Sequence, residues 1–410
     1  MDFFEALKII SQPIRASALP YSLDHMYRLL EALDNPQRTY PCIVVAGSVG
    51  KGTTCHQIAA LMNDHLKVGL FTSPHVHSFR ERFVINGRQI SQQEFVEGVK
   101  VVQQATNGLG SHYSTFELST ALALWWFREQ AIDIAVLEIG IGGRYDAVNA
   151  VTNTLAVITP IEREHAAMLG GTLTAIASHK AGIIQANGYA IAASQIPEVE
   201  AVLRQEAASQ RASITFEPVK TLAVDACANL MQRHIIPTYS LPADSPVVHL
   251  PGRMEQIKMQ GKTLLIDGAH TPGSAKRLRA AIEQLSPTSP VQLIIAMLRD
   301  KSVHEFLAEF DNPRFHITLT QTSSHRALTP EEIQQIAGLS QAQLLIQPDL
   351  QTAINNAIEA TSASLIVITG SLRIAALSRE ILGLLSTEEL HEAQNTRAIF
   401  EGKDYLTKLV

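Results

Sequence analysis

The sequence predicts an α/β protein of two doubly wound domains. Apolar runs of about four to eight residues alternate with segments of helical period, the pattern of parallel strands joined by crossover helices. With 410 residues, 46% of them hydrophobic, the chain is longer than a single core usually supports. The alternation also restarts after a stretch that contains Pro237, Pro242, Pro246 and Pro251. We therefore expect domains over residues 1–253 and 254–410, with the junction near 251–260.

In the first domain, continuous apolar runs predict strands that are covered on both faces. These strands are expected at residues 42–46, 68–72, 132–138, 155–159 and 189–193. In the second domain, strands are expected at 263–266, 291–297, 315–319, 343–346 and 365–369, with helices at 274–285, 330–336 and 350–361. Residues 386–410 are polar and charged, which predicts a terminal helix or a tail.

Composition excludes several classes of protein. The formal net charge of −6 disfavours nucleic-acid binding, which depends on clustered Lys and Arg. The three cysteines lie far apart and predict buried thiols, since neither a disulfide framework nor a zinc site has this spacing. The chain shows no signal-peptide pattern and no apolar run of roughly 18 residues. We expect a cytoplasmic monomer that acts on small molecules, without a membrane partner.

A glycine-rich loop follows the strand at 42–46 and precedes a segment of helical period. Such a loop directs backbone N–H groups at phosphate oxygens, while its lysine reaches the outer phosphates. An extra Gly52 departs from the usual phosphate-loop spacing. A plain glycine-rich turn is the alternative, but Lys51 with two hydroxyls behind it has no structural necessity. The candidate nucleotide-binding residues are Gly47, Gly50, Lys51, Gly52, Thr53 and Thr54. They predict a P-loop ATPase-like first domain. The alternation of strands and helices that restarts at residue 263 predicts a Rossmann-like second domain.

Three polar residues follow strands that end at the same edge of the predicted sheet. Glu138 ends one strand, Ser73 follows the second strand and His165 lies beyond the fourth. Open α/β sheets bind ligands at this edge, so the three side chains could hold Mg²⁺ beside nucleotide phosphates. Imidazole is an unusual ligand for so hard an ion. The alternatives are a helix-capping role for Ser73 and a surface role for His165.

Lys180 occupies the apolar face of a helix predicted over residues 173–184. Burial lowers the pKa of a lysine, and a neutral amine can add carbon dioxide to become a carbamate. The carbamate would supply a metal-binding carboxylate. The alternatives are a lysine whose amine extends to solvent and one paired with Glu162 or Glu164. The residues alone do not decide among the carbamate, the solvent-extended amine and the ion pair.

Together these stretches resemble the folylpolyglutamate synthase/dihydrofolate synthase branch of the Mur ligase superfamily, over roughly residues 29–373. The most discriminating segment is Thr72-Ser73-Pro74-His75 with Phe79, Glu81-Arg82 and Ile85-Asn86-Gly87. The other matching segments, all in family order, are residues 46–54, 137–147, 179–184, 250–255, 267–270 and 369–371.

The resemblance implies a ligase that uses ATP and Mg²⁺ to join L-glutamate to a folate-type carboxylate, dihydropteroate or a reduced folate, through an acyl phosphate. It implies that the magnesium ligands are Ser73, Glu138, His165 and a carbamylated Lys180. It also implies that Arg253, Asp267 and His270 lie around the nucleotide and the incoming glutamate. The catalytic residues would be Lys51, Lys180 and His270.

The sequence departs from the family pattern at four places. Ser48-Val49 replaces Thr-Asn in the phosphate loop, Glu164 replaces an aspartate, and Thr271 replaces an asparagine. The segment between 218 and 251 is short and lacks the usual motif on the adenine side of the nucleotide. We favour a working but divergent enzyme.

Two other functions stay open. One is a ligase of this superfamily for another carboxylate, and the other is a nucleotide-binding scaffold without turnover. A simple phosphate-loop ATPase is disfavoured because it would not explain the matches in the second domain.

Overall fold

The computed structural model describes residues 1–11, 22–109, 113–339, 344–360 and 362–401. They divide into two compact units. The first comprises Met1–Val248 together with the described residues from Asn395 onward, and the second comprises His249–Gln394. The domain boundary that we expected between residues 253 and 254 stays a prediction.

The first unit is built on a sheet of eight strands within the described residues, in the order β4-β3-β2-β5-β1-β6-β7-β8. The short strand β3 pairs antiparallel with both β2 and β4, and the other pairings are parallel. The strands are β1 Cys42–Ala46, β2 Val68–Phe71, β3 Phe83–Ile85, β4 Arg88–Gln89, β5 Ile134–Glu138, β6 Leu155–Ile158, β7 Tyr189–Ala193 and β8 Ser213–Glu217.

Helices cover both faces of this sheet. Several begin with a capping box, as at Ser114, whose hydroxyl accepts from the Glu117 amide while the Glu117 carboxylate accepts from the Ser114 amide. The α-helices are α1 Phe3–Ile10, α2 Asp24–Ala32, α3 Lys51–Met62, α4 Gln92–Thr106, α5 Thr115–Glu129, α6 Leu173–Ala181, α7 Pro197–Ser209 and α8 Leu222–Gln232. Short 3-10 helices span Pro36–Arg38, Phe79–Arg82 and Ala147–Ala150.

The core of the first unit has two layers, one on each face of the sheet. Val44 of β1 belongs to one apolar cluster, and its neighbours Ile43 and Val45 belong to the other. Successive side chains of a strand point to opposite faces, so a strand that is apolar throughout serves both layers. The three cysteines are buried free thiols, as the sequence predicts.

The second unit is built on a sheet of six strands within the described residues, in the order β13-β12-β11-β14-β10-β9. Only β9 runs antiparallel to its neighbour among these strands. The strands are β9 Glu255–Met259, β10 Lys262–Ile266, β11 Val291–Ile295, β12 Phe315–Leu319, β13 Leu344–Ile346 and β14 Leu365–Thr369. The helices of this unit are α9 Pro272–Leu285, α10 Val303–Ala308, α11 Pro330–Ala337, α12 Leu350–Ala360 and α13 Leu372–Ile381. Helix α14 Thr387–Glu401 begins in this unit, and its residues from Asn395 onward belong to the first unit.

The predicted fold class is confirmed, because both sheets are mostly parallel and have helices between their strands. Sequence patterns missed β3 and β4, which are only three and two residues long, and β8 and β9, which are partly exposed and carry polar residues among the apolar ones. Strand β9 lies within the stretch where we expected the junction. Helix α6 ends at Ala181, before the predicted end at 184. Of the predicted elements, residues 343, 361 and 402–410 lie outside the described residues.

Across the described ranges, the structure contains no helix that is both long enough and apolar enough to cross a membrane.

Candidate active site

The phosphate loop connects β1 to α3 and starts at a position that only glycine fits. Gly47 has φ +143°, and a Cβ atom there would lie 1.9 Å from Oγ1 of Thr159. Gly50 caps α3 with φ +81°, and Lys51 is the first residue of that helix. The loop therefore brings Lys51 and the first amides of α3 to the carboxyl edge of β1, where a helix N-terminus favours anions.

Hydrogen bonds join this loop to the segment that follows β6. The amides of Ser48 and Val49 donate to the carbonyl of Pro160 at 2.9 and 3.2 Å. The Ser48 hydroxyl donates to the carbonyl of Glu162 at 2.9 Å and accepts from the Glu162 amide at 3.0 Å. Ser48, which departs from the family pattern, thus holds the two loops together.

Glu138 lies at the carboxyl end of β5 and is only 4% exposed. Its Oε2 atom accepts from the backbone N–H of Ser73 at 2.8 Å. A Cβ atom on Gly52 would lie 3.5 Å from the same oxygen, so the carboxylate packs against the first turn of α3. The structure therefore brings Ser73, Glu138 and the phosphate loop together, as the sequence predicts for these strand ends.

The donor atoms at this edge suit a hard cation. Magnesium prefers oxygen ligands, and Glu138 and Ser73 offer a buried carboxylate and a hydroxyl beside the phosphate loop. The Thr159 hydroxyl is also buried and has no hydrogen-bond partner among the described residues. These groups fit magnesium with phosphate oxygens, whereas an unmodified lysine amine does not fit such an ion.

Arg82 is a buried cation near Glu138 to which the sequence assigned no role. It is 2% exposed, and burial lowers its pKa to about 10, against the opposing charges of Glu138 and Glu81. Its Nε atom donates to Nδ1 of His75 at 3.1 Å, and its carbonyl accepts from the Thr72 amide at 3.1 Å. Arg82 is part of the family match, but a charged residue in a 3-10 turn gives no sequence signal of burial.

Lys180 reaches the phosphate loop from α6. Its side chain is 2% exposed, and its Nζ atom donates to the carbonyl oxygen of Gly47 at 2.5 Å. Burial and the charge of Lys51 lower its pKa to about 7, against the opposing charges of Glu164 and Asp146. The lysine does not extend to solvent, because the amine is buried. It carries the lowered pKa that carbamate formation requires.

Close backbone packing fixes the position of Lys180. A Cβ atom on Gly143 would lie 2.6 Å from the carbonyl of His179 and 3.0 Å from Cα of Lys180. The amide of Arg144 donates to the His179 carbonyl at 2.8 Å, and its guanidinium pairs with Glu206 at 2.8 Å. The glycine run after β5 thus lets this loop contact α6 directly.

Asp146 is a second ionisable group that the sequence did not assign to a role. It is buried, and burial raises its pKa to about 7. Its Oδ2 atom accepts from the amides of Gly140 and Ile141 at 3.1 and 3.0 Å, and Oδ1 accepts from the Val148 amide at 3.0 Å. In the sequence, the available indication of a role for Asp146 was the position of its carboxylate just after a glycine run.

His165 lies on the loop after β6, with φ +51° and its side chain 30% exposed. Its Nε2 atom lies 3.7 Å from Oε1 of Glu164. Within the described ranges, no three His, Cys, Asp or Glu side chains converge as a metal site. A magnesium site here would need hydroxyl or phosphate oxygens, or a modified Lys180. The complete predicted ligand set stays a prediction.

In the second unit, Asp267 follows β10 and organises the backbone around it. Its two carboxylate oxygens accept from the amides of Met254 and Ala269, each at 2.8 Å. Burial raises its pKa, while these bonds and the charge of nearby Arg253 oppose the rise. Arg253 itself is exposed.

His270 and Thr271 follow Asp267 at the start of α9. Nδ1 of His270 lies 2.8 Å from the Gly268 carbonyl, so Nδ1 carries the proton and Nε2 is the acceptor in the neutral ring. Thr271 caps α9 through a reciprocal pair with Ser274. Threonine therefore fills the capping role at a position where the family usually has asparagine.

Comparisons with known proteins agree with this fold and site. Residues 45–232 match the Mur ligase middle domain, and residues 252–372 match the Mur ligase glutamate ligase domain. Folylpolyglutamate synthase of Lacticaseibacillus casei is 28% identical, over 86% of this chain and 92% of the relative. Dihydrofolate synthase/folylpolyglutamate synthase of Mycobacterium tuberculosis is 28% identical, over 88% and 90%. The structure of Mycobacterium tuberculosis folylpolyglutamate synthase complexed with ADP has a TM-score of 0.82 at 27% identity, covering 93% of this chain and 99% of that one.

Fold and site together define an ATP-dependent ligase of two α/β units. The chain belongs to the folylpolyglutamate synthase/dihydrofolate synthase family of the Mur ligase superfamily.

Proposed function

We propose that the protein joins L-glutamate to a folate-type carboxylate, dihydropteroate or a reduced folate, with ATP and Mg²⁺. The observation that carries the proposal is the meeting of three groups at one sheet edge. These are the phosphate loop with Lys51, the buried Glu138 bonded to the Ser73 amide, and the buried Lys180 bonded to the Gly47 carbonyl. The names and the coverage of the relatives support the same reaction.

In the first step, an oxygen of the acceptor carboxylate attacks the γ-phosphorus of ATP, and the bond to the ADP oxygen breaks. The products are an acyl phosphate and ADP. Lys51 and the first amides of α3 neutralise charge on the transferring group, and positioning carries most of such catalysis. When bound, magnesium supplies further positive charge to the phosphate oxygens. We place it at Ser73, Glu138 and His165, with Lys180 in its carbamate form.

In the second step, the amine of L-glutamate attacks the acyl carbon, a tetrahedral intermediate forms, phosphate leaves and the amine loses a proton. His270 is the proposed group for orienting the amino acid or accepting that proton, because its Nε2 is the acceptor nitrogen. Arg253 and Asp267 are proposed to handle the nucleotide, as the family resemblance implies.

We further propose that the enzyme works as a cytoplasmic monomer on small molecules, without a nucleic-acid or membrane partner. The net charge of −6 supports the absence of nucleic acid. Light scattering of the purified protein should give a mass near the 44.8 kDa of one chain, and a doubled mass would contradict the monomer.

The test is to incubate the purified protein with ATP, magnesium, L-glutamate and either dihydropteroate or a reduced folate. We expect amide formation with at least one acceptor, and none with Lys51→Ala as the matched inactive control. If another carboxylate forms an amide but neither folate-type acceptor does, the folate assignment is wrong. If ATP binds but no acceptor in a broad panel reacts, the protein is a nucleotide-binding scaffold.

A further inference from the structure

The end of helix α14 packs on the segment that carries Ser73. The described residues from Asn395 onward belong to the first unit, and Ile399 and Phe400 both pack against its larger apolar cluster. The ring of Phe400 is stacked on Phe79, with centroids 5.5 Å apart and planes at 16°. It also contacts the ring of His75, with centroids 5.5 Å apart. One aromatic residue thus contacts two side chains of the segment 72–82.

Both of these side chains contact the buried Arg82. Its guanidinium lies 4.7 Å from the ring centre of Phe79, and its Nε atom donates to Nδ1 of His75 at 3.1 Å. Arg82 has lost almost all contact with water, so these neighbours and the nearby carboxylates replace its hydration. Because Phe400 packs on Phe79 and His75, it stabilises the two side chains that hold Arg82 in place.

Arg82 is connected in turn to the predicted magnesium ligands. Its carbonyl accepts from the Thr72 amide at 3.1 Å, and the next amide, that of Ser73, donates to Glu138 at 2.8 Å. A shift of Arg82 would therefore move the backbone that orients Ser73 and contacts Glu138. This path runs through side-chain and backbone contacts within the first unit alone.

We propose that Phe400 is a positioning residue whose ring holds the segment 72–82 against Glu138 and thereby sets the affinity of the site for magnesium. The proposal rests on the proposed placement of magnesium at Glu138. Aromatic pairs contribute more than their buried area, so loss of the ring should loosen the segment and not only remove apolar contact. The neighbouring Ile399 packs against the same cluster, whereas the ring contacts to Phe79 and His75 are made by Phe400.

The test compares Phe400→Ala with Ile399→Ala, which removes apolar contact from the same helix. In metal-free protein, hydrogen exchange of the amides in segment 72–82 should be roughly tenfold faster in Phe400→Ala. It should stay within about twofold of wild type in Ile399→Ala and in the ring-retaining Phe400→Tyr. The magnesium concentration for half-maximal ATP binding, measured by calorimetry without acceptor, should rise several-fold in Phe400→Ala alone.

Equal acceleration of exchange in both alanine variants would overturn the proposal, because it would show general loosening of α14. Faster exchange in Phe400→Ala with an unchanged magnesium requirement would overturn the connection to the metal site. The substitution Glu138→Gln tests the magnesium placement separately. If Glu138→Gln also leaves the magnesium requirement unchanged, the placement of magnesium at Glu138 is wrong, and the result does not bear on the contacts of Phe400.

Discussion

The side-chain nitrogen of Lys180 lies 2.5 Å from the carbonyl oxygen of Gly47, so a buried lysine of α6 contacts the first residue of the phosphate loop. The two residues are 133 positions apart in the chain. The contact places Lys180 beside the phosphate loop, and burial lowers the pKa of its amine. The first two predictions concern this lysine.

Lys180 should make the stability of the protein depend on pH in a defined direction. Burial lowers its pKa to about 7, whereas in the unfolded chain a lysine stays near its ordinary value. Between these two pKa values the unfolded state binds more protons, so the free energy of unfolding rises with pH. In bicarbonate-free buffer, it should increase by about 2 kcal/mol more in wild type than in Lys180→Met between roughly pH 7.5 and 9. Urea unfolding at the two pH values measures this, and equal increases would show that Lys180 keeps an ordinary pKa.

Lys180→Ala should be inactive and should recover activity when short-chain carboxylic acids are added. The reason is that the neutral amine of wild type can add carbon dioxide, and a diffusing carboxylate could replace the missing carbamate. Activity across a series of acetate and formate concentrations measures the rescue, with Lys51→Ala as a control that these acids should not restore. A high-resolution map with bicarbonate and nucleotide that shows a bare amine would count against the carbamate.

Glu138→Gln should raise the magnesium requirement sharply. Glutamine keeps an oxygen that can accept from the Ser73 amide, so the local fold should survive while the negative charge is lost. A magnesium titration of ATP-dependent turnover measures the effect. Glu283 forms an exposed ion pair with Arg279 on α9, in the second unit, so Glu283→Gln provides a control that removes the same charge elsewhere. An unchanged titration for Glu138→Gln would remove that residue from the metal site.

Gly47→Ala should disable the phosphate loop far more than Gly50→Ala. Both glycines have positive φ, but a Cβ atom at position 47 would meet Thr159, whereas one at position 50 meets no atom within 4 Å. Gly50→Ala therefore incurs backbone strain alone, roughly 1 kcal/mol, while Gly47→Ala also displaces the loop. ATP affinity by calorimetry and Tm by thermal unfolding separate the two effects. Similar losses of ATP affinity in both variants would contradict this steric account.

The strand framework of the site could be predicted from sequence, because β1 and β6 are apolar throughout, β5 is apolar up to its last residue, Glu138, and all three are covered on both faces. Because the carboxyl ends of such strands meet at one edge, the sequence predicted that Glu138 and Ser73 lie near the phosphate loop. The structure brings these residues together there. The place of Lys180 on an apolar helical face indicated burial but left a solvent-extended amine open, and the structure shows that the residue is buried. Its hydrogen bond to Gly47 could not be predicted, since it depends on how α6 packs against the loop after β5.

The burial of other charged residues of the site had no sequence signal. Arg82 is buried beside Glu138, but charged residues are mostly exposed and a single sequence does not mark the exception. The raised pKa of Asp146 arises from burial, which the fold creates around an ordinary-looking aspartate. Strands β8 and β9 lie at sheet edges and are partly exposed. Their polar residues interrupt the apolar runs by which the other strands were predicted.

The most direct test of the proposed ligase is to follow oxygen from the acceptor carboxylate. With the acceptor labelled in its carboxylate by ¹⁸O, the attack on ATP makes a carboxylate oxygen the bridge of the acyl phosphate. When the glutamate amine displaces phosphate, that oxygen leaves with it. Mass spectrometry should therefore find one ¹⁸O atom in the phosphate released for each amide formed, with ADP as the nucleotide product. Amide formation with unlabelled phosphate, or with AMP and pyrophosphate, would contradict the acyl-phosphate mechanism.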